Sequence, residues 1–112
     1  MNGPFEIHPD PANNRAVVVF APQCHHARTK VHEDQLADLL ERFDAVACDI
    51  AASDAIASEW LRWLARLTIR ARRTGKTFAL VGMRDSVRQT TDELAMRDGL
   101  VVVNSVNEVW EL

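Results

Sequence analysis

Glycine, cysteine and long apolar runs are all scarce in this sequence, and each shortage argues against a class of protein. The four glycines form neither a Walker loop nor a dinucleotide-binding fingerprint. The two cysteines make no CxxC pair, and Cys48 lies inside an apolar run, where a buried thiol is expected. No apolar run approaches the roughly 20 residues that a membrane span needs. The sequence therefore has no signature of a nucleotide-binding, redox or membrane-spanning protein.

The composition is that of an ordinary globular protein. The chain has 112 residues, of which 47% are hydrophobic and 26% are charged, and we expect one domain over residues 1–112. The first residues, MNGPFEIHPD, are not typical of a signal peptide. We therefore expect a cytoplasmic protein with reduced thiols.

Hydrophobic periodicity predicts five strands and four helices. Apolar, β-branched runs indicate the strands, and leucines or tryptophans at helical spacing indicate the helices. The predicted strands are residues 5–7, 16–21, 45–50, 77–82 and 100–103, and the predicted helices are residues 31–43, 58–73 and 85–99 and a short one after Ser105. Gly75 and Gly99 stand where glycines commonly end a helix.

The order of these elements predicts an α/β fold. From residue 45 onward strands and helices alternate with short connections, which requires a mostly parallel sheet covered by helices. The first two strands, joined by the turn HPDPANN, are expected to add an antiparallel edge. We expect a single domain with a mixed, mostly parallel sheet of about five strands and about four helices. The loops 22–30, 49–58 and 83–85 follow strands, where functional groups of such folds gather.

Charge is unevenly distributed along the chain. Residues 31–59 contain eight acidic residues and one arginine, whereas residues 60–76 contain six basic residues and no acidic one. Four arginines of the 58–73 helix recur at helical spacing and define its solvent-exposed face: Arg62, Arg66, Arg70 and Arg73. This pattern gives a partner a directional field. The net charge of −3 and the lack of a groove-reading motif argue against nucleic acid.

Two serines, Ser53 and Ser58, stand between the strand that ends at Asp49 and the helix that follows. By position alone, Ser58 is an N-cap, a role worth about 1 kcal/mol. As a nucleophile, Ser58 would need a general base within reach, and no G-x-S-x-G elbow surrounds it. We therefore expect no enzyme and no catalytic residue.

One group of residues invites a metal interpretation. It consists of Cys24, His25, His26 and His32. Their spacing fits no zinc motif, and solvent-exposed histidines of a loop are the expected alternative. We expect neither a metal nor a cofactor.

Residues 43–112 resemble the STAS domain, the fold of bacterial anti-sigma factor antagonists. Those proteins carry a strand ending in Asp, a short loop and an Asp-Ser-Ser-Gly-Leu motif that opens a helix; Asp49 and ASEWL (57–61) occupy these places. RARRTGKTFALVGM (70–83) matches the basic segment and strand that follow, and Gly99 matches a later glycine. The first 42 residues resemble the family only loosely. The order and spacing of the motifs carry the resemblance.

The resemblance implies a non-enzymatic regulatory module that binds proteins. In the family, a partner that is both anti-sigma factor and serine kinase phosphorylates the first serine of the motif, and the unphosphorylated form binds that partner. This phosphoacceptor position falls on Ser58. Ala57 replaces the motif's Asp, Glu59 its second Ser and Trp60 its Gly. A phosphate would add a charge of about −1.5 to −2 and change a contact surface between molecules.

We expect the partner to bind around the first turn of this helix. Trp60 either remains partly exposed as an aromatic anchor or packs against the sheet, and the sequence leaves both open. The candidate partner-binding residues are Asp49, Asp54, Ala57, Ser58, Glu59, Trp60 and Arg62. The expected partner is an anti-sigma factor/serine kinase or another regulatory protein. We expect a monomer or weak homodimer without membrane insertion.

Two other hypotheses use the same fold. In the first, the chain is a constitutive STAS subunit of a larger assembly, such as a lipid-transport ABC system. In the second, it is an enzyme acting through Ser58. Co-purification with a transporter ATPase would identify the first of these. The second requires turnover that Ser58→Ala abolishes.

Overall fold

The computed structural model describes residues 3–24, 30–96 and 99–112; for Gln23 and Cys24 it describes the backbone alone. The strands are β1 (Phe5–Asp10), β2 (Arg15–Phe20), β3 (Gln23–Cys24), β4 (Ala45–Asp49), β5 (Ala55–Ile56), β6 (Thr77–Val81) and β7 (Val102–Val103). The helices are α1 (Lys30–Arg42), α2 (Ser58–Arg73), α3 (Asp85–Glu93) and α4 (Val106–Trp110). A single 3-10 turn, Pro11–Asn13, joins β1 to β2.

The main sheet has the strand order β1-β2-β4-β6-β7. β1 runs antiparallel to β2, and the other neighbouring strands are parallel. The predicted five-stranded mixed sheet with an antiparallel edge is therefore confirmed. The two-residue strands β3 and β5 form a separate parallel pair that the sequence did not predict.

The sheet carries a different layer of helices on each face. Val46 and Cys48 of β4 face a large core shared with α1, α2 and α3, whereas Ala47 between them faces α4. This alternation follows from the period of two along a strand. Burial raises the pKa of the Cys48 thiol far above its ordinary range, with a smaller contribution from Asp49. The thiol is therefore an inert core group, as its position in an apolar run predicts.

The ends of two helices show which local signals decide a boundary. α2 ends where predicted, because Gly75 adopts a φ of 71° and the Lys76 N–H bonds back to the Ala71 carbonyl at 2.8 Å. The prediction that α3 reaches residue 99 is wrong. Ala95 adopts a φ of 54° and the Met96 N–H bonds to the Thr91 carbonyl at 3.0 Å, which closes α3 after Glu93.

The N-terminal strand also differs from its prediction. β1 continues through Pro9 to Asp10 instead of ending at residue 7. An edge strand tolerates proline because one side of its backbone has no ladder to complete. The Asn13 side chain donates a hydrogen bond to the Asp10 carboxylate at 2.9 Å, and this bond holds the pKa of Asp10 below its usual value. The predicted turn is thus shorter, beginning at Pro11.

Trp60 is a core residue, so the alternative of a partly exposed ring is wrong. Its exposed fraction is 0%. The rings of Phe5 and Phe20 lie nearly perpendicular to the indole, each with its centroid 6.0 Å away. Edge-to-face contacts at this distance are favourable for aromatic rings. The edge strand β1 and its neighbour β2 therefore cover the first turn of α2, and Trp60 is withdrawn as a direct partner contact.

Replacing Trp60 by Ala should destabilise the fold strongly. Truncation of a fully buried tryptophan removes its packing and leaves a cavity, with an expected cost of about 3–5 kcal/mol. Urea denaturation would measure the free energy of unfolding, with Trp60→Phe as the milder control that retains an aromatic ring. A loss below about 1 kcal/mol for Trp60→Ala would contradict this assignment.

Candidate functional site

The loop between β4 and β5 begins with a turn shaped by Asp49. The Asp49 carboxylate accepts a hydrogen bond from the Ala51 N–H at 3.0 Å, and the Ser53 N–H bonds to the Ile50 carbonyl at 2.9 Å. Aspartate favours such turns because its short side chain can bond to the backbone two residues on. Asp49, expected at the partner surface, is half-buried and orders this loop.

Ser53 attaches the same loop to the end of β2. Its side chain is 0% exposed, and its hydroxyl donates a hydrogen bond to the Ala21 carbonyl at 2.8 Å. The Asp54 N–H bonds to the Pro22 carbonyl at 2.9 Å. The pairing of β3 with β5 continues this contact along the chain. Within the described residues, the loop after β2 therefore contacts the loop after β4, as expected from the positions of the strand ends.

Arg84 and Ser86 hold the loop from its other side. The Arg84 Nε donates to the Ala51 carbonyl at 2.8 Å, and its guanidinium also pairs with the Asp54 carboxylate. The Ser86 hydroxyl donates to the Asp54 carbonyl at 2.8 Å. Sequence reasoning placed the 83–85 loop at this edge but did not identify these two side chains. An arginine directly after a strand, at the same edge as an acidic loop, was the available signal.

Gly82 allows this loop to lie against the end of β6. Its φ is 74°, and a Cβ built on it would lie 2.7 Å from the Ala51 Cβ. Carbon atoms do not approach so closely without displacement of one of them. The Ile50 N–H also bonds to the Val81 carbonyl at 3.0 Å. Position 82 is thus restricted to glycine by both the backbone conformation and the available space.

Ser58 is the first residue of α2 and not its N-cap, so the N-cap prediction is wrong. The N-cap is Ala57, whose extended backbone carries no side-chain acceptor. The Ser58 hydroxyl is half-buried and forms no hydrogen bond with the residues that the structure describes. The N–H groups of a first helical turn lack intrahelical partners and create a field that favours negative charge. Ser58 therefore carries, at an electropositive helix end, a hydroxyl that bonds to none of the described residues.

The expected site residues fall into three environments. Glu59 and Arg62 are exposed on α2 beside Ser58, and Asp54 is exposed in the preceding loop. Asp49 and Ala57 are half-buried and shape the chain, whereas Trp60 lies beneath the surface. Asp54, Glu59 and Arg62 are thus the exposed members of the predicted site.

The group of possible metal ligands in the sequence lies partly outside the described residues. Within residues 3–24, 30–96 and 99–112, no three His, Cys, Asp or Glu side chains are grouped to hold an ion. His25, His26 and the side chain of Cys24, which belonged to the group considered from the sequence, lie outside the described residues.

The sheet order and the helices on both faces are those of the STAS fold, which solved structures share with this chain. Moorella thermoacetica RsbS S58E superposes with a TM-score of 0.72 and 17% identity, over 99% of this chain and 93% of that one. The protein TM1081 gives a TM-score of 0.71 and 16% identity, over 99% and 87% of the two chains. Another structure of tm1081 from Thermotoga maritima, described as a candidate anti-sigma factor antagonist, gives 0.62 and 13% over 97% and 92%.

A larger protein contains the same fold. SLC26A9 superposes with a TM-score of 0.70 and 10% identity, over 88% of this chain but only 19% of that chain. No sequence-family model and no curated protein sequence matches this chain. None of the described helices is long and apolar enough to cross a membrane.

Gly82→Ala should destabilise the protein by about 2–4 kcal/mol, because it combines left-handed backbone strain with a steric clash. Gly75→Ala is the matched control, since Gly75 also has a positive φ but has no atom within 4 Å of a built Cβ. The control should cost about 1–2 kcal/mol. Thermal and urea denaturation would measure both. Adding Ala51→Gly to Gly82→Ala should recover part of the loss, and no recovery would show that the clash is unimportant.

Replacing each of the two serines by alanine should affect the free energy of unfolding very differently. Ser53→Ala leaves the buried Ala21 carbonyl without its hydrogen bond and should cost about 1–3 kcal/mol. Ser58→Ala removes no bond among the described residues and should change the free energy of unfolding by less than about 0.5 kcal/mol. Equal losses in urea denaturation would show that the Ser58 hydroxyl has a structural role.

Proposed function

We propose that this chain is a non-enzymatic regulatory module that binds an anti-sigma factor/serine kinase through the edge around Ser58. The observation that carries the proposal is the Ser58 hydroxyl at the head of a 16-residue helix, which bonds to none of the described residues and follows a loop bonded to Ala21, Pro22 and Arg84. The likeness in fold to RsbS and to a candidate anti-sigma factor antagonist supports this function.

The contact surface combines a rigid base with exposed polar groups. The base is the loop 50–54, bonded to Ala21, Pro22 and Arg84. The polar groups are the half-buried Ser58 and the exposed Glu59 and Arg62 of α2, together with the exposed Asp54–Arg84 pair. Because this ion pair is largely exposed, its own contribution to stability is small. Both of its charges thus remain available to a partner.

Phosphorylation of Ser58 would act on this surface rather than on the fold. The first helical turn accommodates negative charge, and the phosphate would replace no existing hydrogen bond. It would place a charge of about −1.5 to −2 next to Glu59. The local surface then becomes strongly anionic, and a partner complementary to the unmodified surface loses its fit. Control through Ser58 therefore requires no conformational change.

A constitutive role is the second candidate. SLC26A9 contains this fold as a small part of a much longer chain, which favours a permanent structural module in a larger assembly, such as a lipid-transport ABC system. The replacement of three motif residues, Ala57, Glu59 and Trp60, also favours loss of the switch. In this role, Ser58 remains unmodified and the same edge contacts its neighbour permanently.

Ser58→Asp should weaken binding of the anti-sigma partner at least about tenfold, and Ser58→Ala should preserve it. Asp adds one negative charge and imitates the phosphate incompletely, whereas Ala adds none. Calorimetry at one fixed salt concentration would give both affinities. Equal affinities would reject the switch and favour the constitutive module.

The phosphorylation site itself can be mapped directly. Incubation with serine kinases of the same cell, followed by mass spectrometry, should place the phosphate on Ser58, because Ser53 is buried and its hydroxyl is bonded. Phosphate on Ser86 with Ser58 unmodified would contradict the assignment.

A further inference from the structure

The exposed face of α2 carries a row of arginines that continues from Ser58. We name Arg62, Arg66 and Arg73, with Ile69 between them, the arginine stripe. At 3.6 residues per turn these four side chains fall within a sector of about 60°, and the stripe is about 16 Å long. Arg62 lies one turn beyond Ser58, on the same side of the helix. The stripe is therefore continuous with the proposed contact surface.

The acidic residues of the neighbouring helix do not neutralise this stripe. Three exposed carboxylates of α1 already have basic partners: Asp34 pairs with Lys30 at 3.1 Å, Asp38 with Arg42 at 3.4 Å and Glu41 with Arg70 at 3.4 Å. In contrast, no carboxylate among the described residues lies within ion-pair distance of Arg62, Arg66 or Arg73. The stripe thus retains its positive charge.

Helix stability explains only part of this arrangement. Basic residues in the last turn are favoured by the helix dipole, which accounts for Arg73. Arg62 lies in the second turn, near the positive end of the dipole, where a cation gains nothing from it. A contact with another molecule gives a reason for placing arginines along the whole face.

The centre of the stripe also offers an apolar contact. Ile69 is 41% exposed, and it shares an open depression of about 420 Å³ with Arg66, Arg70 and Arg73. An exposed apolar side chain ringed by arginines has the composition of a protein-binding surface, in which arginine is enriched. A partner therefore needs negative charge around an apolar side chain.

We propose that the arginine stripe binds an acidic segment of a protein partner, with an apolar side chain of that segment seated on Ile69. This inference rests on the proposed function as a protein-binding module and adds the chemistry of the partner. A second copy of this chain fits less well, because its exposed α1 carboxylates would have to exchange their own basic partners for the stripe, with little net gain. Nucleic acid also fits less well, because the three free arginines lie beside acidic α1 and Glu59.

A designed peptide tests the chemistry without knowledge of the natural partner. The probe is a helical peptide with Glu at positions i, i+4 and i+11 and Leu at i+7; the control peptide has the same composition with its acids spread around the helix. Titration into the full isotope-labelled chain should shift the amide resonances of α2 for the probe more than for the control. Added salt should weaken binding, because exposed charges are screened.

Single arginine variants provide the matched comparison. Arg66→Gln should weaken probe binding several-fold, whereas Arg72→Gln, an exposed position outside the stripe, should have little effect despite the same change in charge. Replacing Arg62, Arg66 and Arg73 together by Gln should weaken binding at least about tenfold. The exposed positions predict unchanged melting temperatures for all these variants.

Several outcomes would overturn the inference. These are no binding of the probe, equal effects of Arg66→Gln and Arg72→Gln, tighter binding of a short DNA or RNA, or self-association through α1 and α2 in analytical ultracentrifugation. Failure of the Ser58 switch is distinguishable from these. If Ser58→Asp and Ser58→Ala bind the anti-sigma partner equally while the stripe variants lose the probe, the stripe stands and the switch does not.

Discussion

The close approach of the loop 50–54 to the end of β6 is the constraint on which the functional edge depends. At Gly82 there is no space for a side chain, since a Cβ would lie 2.7 Å from the Ala51 Cβ. This approach lets Arg84 reach the Ala51 carbonyl and the Asp54 carboxylate, while Ser53 bonds to Ala21 on the opposite side. The loop is thereby held between β2 and α3, and its position determines where α2 begins.

The first turn of α2 contains a core residue directly next to residues that lie toward the surface. Trp60 points into the core and contacts Phe5 and Phe20, whereas Ser58 and Glu59 lie toward the surface. The tryptophan that replaces the motif's glycine therefore fills the space beneath the edge instead of enlarging the contact surface. A helix start anchored in this way can present a hydroxyl whose modification leaves the fold unchanged.

Charge divides the helical layer into two surfaces of different chemistry. Three acidic side chains of α1 pair with basic residues, whereas the arginine stripe of α2 pairs with no carboxylate of the described residues. With a net charge of −3 the whole protein is mildly acidic, so the stripe is a local feature that total charge conceals. Ser58 lies at one end of the stripe, where a phosphate would be within one helical turn of Arg62. In the proposed function, recognition and its control would therefore occupy one helix face.

Local patterns in the sequence were sufficient to predict the order of strands and helices along the chain, the antiparallel edge, the bounds of α2 and the glycine that ends it. Strand alternation, helical periodicity and the conformational freedom of Gly75 act over a few residues, so they can be read without the fold. The burial of Trp60 and the different roles of Ser53 and Ser58 were decided by the tertiary structure. The partners of these last residues, Phe5, Phe20 and Ala21, are more than 30 residues distant in sequence, and only the folded sheet brings them into contact.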